Sequence, residues 1–450
     1  MTGLFGSLGT ATRGMNTNQL GLQTSGHNIA NINTDGYSRQ RVHIQAERPY
    51  YMAGVGSIGM GAKAKSVDRI VDSFIRTQTN DAYSKFRFFE QKSDALGQLE
   101  HFMNEPSETG IINQLSVMYD SWAKLASNPE LATSKTLVIE NSNTFTDMIN
   151  QMASQMKQLH GETLFNVEKS TLDLNQKVEQ LAELNNQIFA IASNGTTPND
   201  LLDTRDSLLK DIAGLADTQA TFDRFGRVSE LKLGDNGVTI LDIENGAREI
   251  SVETNNDVIS IVVGSEEATV VAGEIGGFKE AAKEIDESLS ELNKFVEQVA
   301  NAINAAYSSA TGENFFAPID DASTLKVSAA LRENPSHLQA GVTTEPGDGE
   351  LARTIGRLFS VKDTNGMTFS ERYNNIVTKN GISKQQADNT AAAQLTLLNQ
   401  LEYKNESVSG VNINEEVSDV IRFSQAFQAN ARVIQTISEM LDTLINRTGV

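Results

Sequence analysis

The chain has 450 residues, 37 basic and 58 acidic, for a formal net charge of −21, and its 39% hydrophobic content is enough for the cores of two or three domains. That charge disfavours nucleic-acid backbones and anionic lipid surfaces as partners, and no apolar run reaches the length of a membrane span. Cysteine is absent, which excludes disulfides, thiol nucleophiles and cysteine-based metal sites, while seven prolines over this length favour long helices.

The opening MTGLFGSLGTATRG lacks the basic start and apolar core of a cleavable signal. Within and after it, Leu4, Leu8, Ala11, Met15, Asn18, Leu22, Ser25 and Ile29 recur every four and three residues, the spacing of a coiled-coil-like helix. Gly6, Gly9, Gly14, Gly21 and Gly26 lie inside it. Each costs about 1 kcal/mol against alanine, a total of roughly 5 kcal/mol that an isolated helix does not bear. Arg13 is the only formal charge before Asp35. The segment is expected to be disordered alone and helical when packed, with its glycines letting neighbours come close.

The stretch NIANINTDGYSRQR, Asn28–Arg41, follows. Asn31, Asn33 and Asp35 favour helix ends and turns because their side chains bond nearby backbone. Gly36 can take positive φ. Tyr37 can then pin the turn, its ring buried and its hydroxyl partnered. The first helix is expected to end here and the chain to bend into the next domain.

From about Val67 to Asn194 the pattern is helical and charged, with one helix read from Val67 to Met103 and another carrying Val167, Leu174, Val178, Leu181 and Ile188 on one stripe. A shorter helix, NDLLDTRDSLLKDIAGLA, follows with Asn199 or Asp200 as its cap. After Thr218, β-branched and polar residues alternate, cut by Asp235-Asn236-Gly237, Glu244-Asn245-Gly246 and Asn255-Asn256-Asp257, which are hairpin signals. Helix returns at Phe278–Tyr307, an irregular stretch runs from Ser308 to Asp363, and a long helix spans Ser370–Asn405. The last helix, Asn414–Asn446, keeps heptad spacing through Val417, Val420, Phe427, Ile434 and Leu441, with Asn414 as its expected cap. Its natural partner is the first helix, at the other end of the chain, which implies a nested molecule with both termini at one end and the β insertion at the other.

Chemistry-bearing patterns are weak by comparison. Gly54-x-Gly56-x-x-Gly59 lacks the strand before it and the βαβ alternation after it that a dinucleotide site needs, and reads as a glycine-rich turn between strands. None of the five histidines has another at i+4. Acidic doublets such as Asp320-Asp321 and Glu415-Glu416 read as solvated surface or helix starts. No catalytic, cofactor-binding or metal residues are assigned, and no enzymatic activity is expected. The two terminal heptad stripes admit an ordinary pairing within one chain. The uncharged, glycine-laden first helix favours packing on both sides by other copies.

ANINTDGYSRQR resembles the Ala-Asn-x-x-Thr-x-Gly-Tyr signature of bacterial flagellar rod, hook and hook-associated axial proteins, matched by Ala30, Asn31, Thr34, Gly36 and Tyr37. The closing GVNINEEVSDVIRFSQAFQANARVIQTISEMLDTLI is similar to that family's C-terminal helix. NDLLDTRD, GENFF and Asn334-Pro335 narrow the resemblance to hook-associated proteins of the FlgK type. The resemblance implies a structural component joining hook to filament outside the cell. It implies export through the flagellar type III apparatus, a ring of identical subunits, the hook protein below and a second junction protein above. A cytoplasmic chaperone on the C-terminal helix before export is implied as well. Hook or rod proteins are the nearest alternatives; an extracellular adhesin or surface-acting hydrolase using the β insertion is a more distant one.

The fold expected is mainly α with a β insertion, in discontinuous nested domains. Residues 1–45 with 406–450 form a terminal helical assembly domain, 46–216 with 275–405 a long-helix body, and 217–274 a small outer β domain. The expected assembly surface comprises Leu4, Leu8, Met15, Leu22 and Ile29 with Val417, Val420, Phe427, Ile434 and Leu441.

Overall fold

Sixty-one residues without a proline, Ala132–Ala192, form one continuous helix about 90 Å long, and the rest of the body is arranged along it. The computed structural model describes residues 2–447 apart from 53, 106, 256, 257, 344, 346 and 363–365. In chain order it has α1 (Thr2–Ala30), then a ribbon of β1 (Gln40–Ala46) and β4 (Ala62–Arg69) extended by the hairpin β2 (Tyr50–Met52) and β3 (Gly56–Ile58). α2 (Ser73–Met103), α3 (Ile111–Ser127), the long α4 and α5 (Asn199–Leu215) follow. The β module holds β5 (Thr218–Phe222), β6 (Val228–Leu233), β7 (Val238–Asp242), β8 (Gly246–Ala247), β9 (Ile250–Asn255), β10 (Val258–Val263) and β11 (Glu266–Ala268). α6 (Gly273–Thr311), the short α7 (Ala329–Glu333) and α8 (Glu350–Leu358), α9 (Phe369–Ser409) and α10 (Ile413–Asp442) complete it.

Two cores share α4. Its first half joins α2, α3, α6 and the segment that contains α7 and α8 around the fully buried Trp122, whose ring meets Phe315 edge-on at 5.1 Å. Its second half buries Val167, Leu174, Val178 and Leu181 against Ile212 of α5 and Leu231, Ile240 and Ile261 of the β module. All pairings in that module are antiparallel, in a sheet ordered β5-β6-β7-β8 and a second ordered β11-β10-β9. Asn175 and Asn185 of α4 fasten it: Asn175 exchanges hydrogen bonds with the Ile250 backbone at 2.7 and 2.9 Å, and Asn185 with that of Val228 at 3.0 and 2.9 Å. Two of the hairpin signals fall at the expected turns, while Asn255-Asn256-Asp257 lies partly outside the described residues.

Several expectations need correction. Val67–Arg69 is strand, paired with β1 from Gln40↔Arg69 to Ala46↔Ala62, and α2 starts only after Asp72, whose carboxylate accepts the Phe74 and Ile75 amides at 2.9 and 3.2 Å. The ribbon therefore runs through the boundary expected between residues 45 and 46. Residue 198, a proline, precedes α5, so Asn199 and Asp200 are free to reach outward rather than cap. Asn412, not Asn414, caps α10, accepting the Asn414 amide at 3.0 Å. The β module also does not lie opposite the termini. It packs on the half of α4 that leads into α5, where Arg205 bonds the Gly226 carbonyl, and the Trp122 core is built on the other half.

Candidate functional site at the joint of the terminal helices

α1 and α10 pair antiparallel, and two glycines set the contact. A Cβ at Gly14 would come within 2.9 Å of the Asn430 amide group, and one at Gly21 within 2.8 Å of the Phe423 ring. α1 has a second partner in its own chain: Arg13 Nε donates to the Met60 carbonyl at 2.8 Å and Thr17 Oγ1 to that of Ala62 at 3.3 Å, so the ribbon lies alongside it. The glycine-laden helix thus has a neighbour on two sides within one chain, more than the single helical partner expected.

The heptad residues Leu4, Leu8, Met15, Leu22, Ile29, Val420, Phe427, Ile434 and Leu441 are all half-buried, whereas Val417 is 44% exposed. Among the described residues few side chains in the pair are fully buried; Ala11 and Ile437 are the buried apolar ones. Ile421, Val433 and Met440 on α10 and Phe5 on α1 stay about half exposed.

The signature turn closes α1. Gly36 has φ 75°, as the turn requires. Tyr37 Oη donates to Asn28 Oδ1 at 2.7 Å, and its ring meets His27 edge-on. Asn28, almost fully buried, also accepts the Gln40 amide at 3.0 Å and donates to the Gln40 carbonyl at 2.9 Å. The last turn of α1 is in this way bonded to the first residue of β1. Burial pushes the Tyr37 phenol above its usual range, with Asp200, Asp203 and Glu416 adding to the effect. Asn31 secures the helix end by donating to the His27 carbonyl at 3.0 Å, and Thr34 donates to Asn31 Oδ1 at 3.3 Å. Ala30 ends the helix and is exposed.

Beyond Tyr37 the chain enters a buried network of charges. Ser38 donates its amide and hydroxyl to Asp203 at 3.1 and 2.6 Å. Arg69 Nη1 reaches Asp203 at 2.6 Å and Asp206 at 2.9 Å. Arg76 pairs with Asp206 and donates to Ser38 Oγ at 2.6 Å, and Arg205 donates to Asp206 and to the Gly226 carbonyl of the β module. Burial, then the neighbouring guanidiniums, push Arg76 down to about 10 and Arg205 to about 9; Asp203 opposes both, and both remain charged at neutral pH. Asn199 donates to the Val67 carbonyl at 2.9 Å and Gln40 Nε2 to Asp200 at 3.0 Å. The first two turns of α5 are therefore a clasp that holds the signature turn, the ribbon, the start of α2 and the β module together.

Arg39 completes it. Its amide donates to the Ser409 carbonyl and its carbonyl accepts the Ile70 amide, both at 2.8 Å. Its guanidinium binds Glu416 at 2.6 Å and Glu415 at 2.7 Å. One residue thereby links both places where the chain crosses between body and terminal pair.

NDLLDTRD was visible in the sequence as a motif, but the partners of Asp203, Asp206 and Arg205 were not. Ser38, Arg39, Arg69 and Arg76 carried no pattern that singled them out. Among the described residues, no helix is long and apolar enough to cross a membrane, and no cluster of three histidine or carboxylate ligands is placed to hold a metal.

The site is thus a joint between paired chain-end helices and a long-helix body. Comparison with known proteins gives the class, a structural component of the flagellum. Residues 96–316 match the family model described as flagellar hook-associated protein FlgK helical domain, and residues 405–447 match flagellar basal body rod FlgEFG protein C-terminal. Flagellar hook-associated protein 1 of Bacillus subtilis (strain 168) is 27% identical, covering 100% of this chain and 99% of its own. The protein of that name from Escherichia coli (strain K12) is 21% identical over 98% and 99%. The flagellar hook junction protein FlgK from Burkholderia pseudomallei has the same fold, with a TM-score of 0.63, 15% identity, and coverage of 74% of this chain and all of its own. Over its full length the chain is similar to the flagellar hook-associated proteins of the FlgK type.

Proposed function

We propose that this structural component of the hook–filament junction assembles axially through α1 and α10, with identical copies side by side in a ring. Its ends meet the hook protein on one side and a second junction protein on the other. The chain is exported through the flagellar type III apparatus after a cytoplasmic chaperone has shielded α10, and it carries no enzymatic activity. In this reading Leu4, Leu8, Met15, Leu22, Ile29, Val420, Phe427, Ile434 and Leu441 hold the terminal pair in shape, and neighbouring copies cover Val417 and the other exposed apolar residues.

One observation carries the reading: α10 pairs with α1 along one face and leaves large apolar side chains half exposed beside it. Such residues in a monomer mark a surface that a partner covers. Replacing Val417 and Ile421 by aspartate tests it, because neither is buried in the monomer. The double variant is expected to melt like the parent and to be absent from the hook tip by antibody labelling. Normal incorporation and normal motility would refute axial assembly through α10.

A further inference from the structure

The hairpin β2–β3 projects the least covered side chains of the ribbon. Tyr51 and Val55 are 70% and 71% exposed, and Tyr50 and Ile58 are 59% and 37%. An isolated two-stranded hairpin is marginal in water and gains order from a packed face, yet these side chains have none in the monomer. Arg41, Arg48 and Lys65 on the same ribbon are exposed and make no ion pair among the described residues. A cationic, tyrosine-tipped ribbon stands out in a chain of net charge −21.

Its position is fixed by α1. Arg13 meets Met60 and Thr17 meets Ala62, so the ribbon runs toward the start of α1 and its tip lies at that end. The contacts of Gly14 with Asn430 and Gly21 with Phe423 put the start of α1 beside the last third of α10. At that level α10 exposes Val433 and Met440, each about half, with the exposed acidic Glu439 one position before Met440, about a quarter-turn round the helix. Copies related by rotation about a ring axis that runs along these helices would hold the hairpin tip and the α10 end at the same height, where the two patches can meet across the boundary between subunits.

We propose that the β2–β3 hairpin of one subunit docks on the Val433–Met440 flank of α10 in the next copy of this chain, with Arg48 toward Glu439. This rests on the ring reading above and adds the surface that joins neighbours: an apolar centre with opposite charges at its rim.

The absence of cysteine permits a direct test. Full-length chain carrying Tyr51→Cys and Met440→Cys is expressed in place of the parent, and isolated hook–basal bodies are oxidised. A ladder of disulfide-linked multimers is expected on non-reducing gels, with none from either single variant or from secreted monomer. Labelled junctions without a ladder, or a link closed within one chain, would overturn the docking surface while leaving the junction reading intact. Absence of the parent chain from the hook tip would instead overturn the junction reading. A charge exchange guards against a double variant that fails to assemble: Arg48→Glu alone is expected to cause filament loss, and Arg48→Glu with Glu439→Arg to restore filaments. No loss from the single change, or loss without rescue, would overturn the contact.

Discussion

Ser38 and Asp203 stand 165 positions apart in the chain, yet the serine gives both its amide and its hydroxyl to that one carboxylate, at 3.1 and 2.6 Å. Asp203 also holds Arg69, so a single buried side chain ties the signature turn and the ribbon to α5.

Asp203→Ala should therefore destabilise the protein by about 3–5 kcal/mol, because it leaves the Arg69 charge with half its pairing and the Ser38 amide without a partner. Urea unfolding measures the loss. Asp200→Ala is the control: its side chain is 71% exposed, and the midpoint should barely move. Equal effects from the two would mean that the clasp is not where the joint is held.

Tyr37 gives a pH dependence with a defined sign. Its phenol is held above the ordinary value of 10.0, chiefly by burial. Below pH 10 the folded and unfolded states both keep the proton, so the contribution to stability is complete. As the pH rises past 10 the unfolded chain releases the proton and the folded one retains it, so stability falls. Tyr37→Phe should cost about 1 kcal/mol at neutral pH for the hydrogen bond to Asn28. It should also lose less than the parent between pH 10 and 11, measured by urea unfolding. A parallel decline in both proteins would assign the effect to other tyrosines.

The glycines of α1 divide into two kinds. Gly21→Ala should weaken the terminal pair, since its methyl would lie 2.8 Å from the Phe423 ring. Gly26→Ala meets nothing within 4 Å and should stabilise the helix by about 1 kcal/mol in the monomer. Circular dichroism and hydrogen exchange on the two variants provide the comparison, and matching changes would contradict the register of α1 on α10.

Hydrogen exchange should also grade the molecule. α1 and α10 bury few apolar side chains, whereas α4 buries residues along both cores. Amides of the two terminal helices should exchange much faster than those of α4 in the free chain, and approach them in assembled junctions. Protection of α1 equal to that of α4 in the monomer would count against ordering on assembly.

Much of this architecture could be read from residue patterns. The stripe Val167, Leu174, Val178, Leu181 is buried as its spacing required, and the Asp-Asn-Gly and Glu-Asn-Gly signals mark real turns. Gly36 and Tyr37 behave as the turn chemistry suggested. Helix starts were less legible. A strand such as Ala62–Arg69 carries lysine, serine and aspartate in the periodicity of either element, and only pairing with β1 settles it. The clasp was hidden for a different reason. A buried arginine–aspartate network looks in sequence like a charged helix surface, and its partners lie more than a hundred residues apart. The β module was assigned to the wrong end because nothing local records which half of a 61-residue helix an insertion packs against.

Only two short segments, residues 70–72 and 410–412, carry the chain between the terminal pair and the body, and Arg39 is hydrogen-bonded at the edge of each. Mechanically the covalent path is narrow but braced: Arg39 and the buried Asp203–Asp206 clasp lock the signature turn and the ribbon onto α5, so twist and shear applied to the chain-end helices pass through that charge network into the strut of α4.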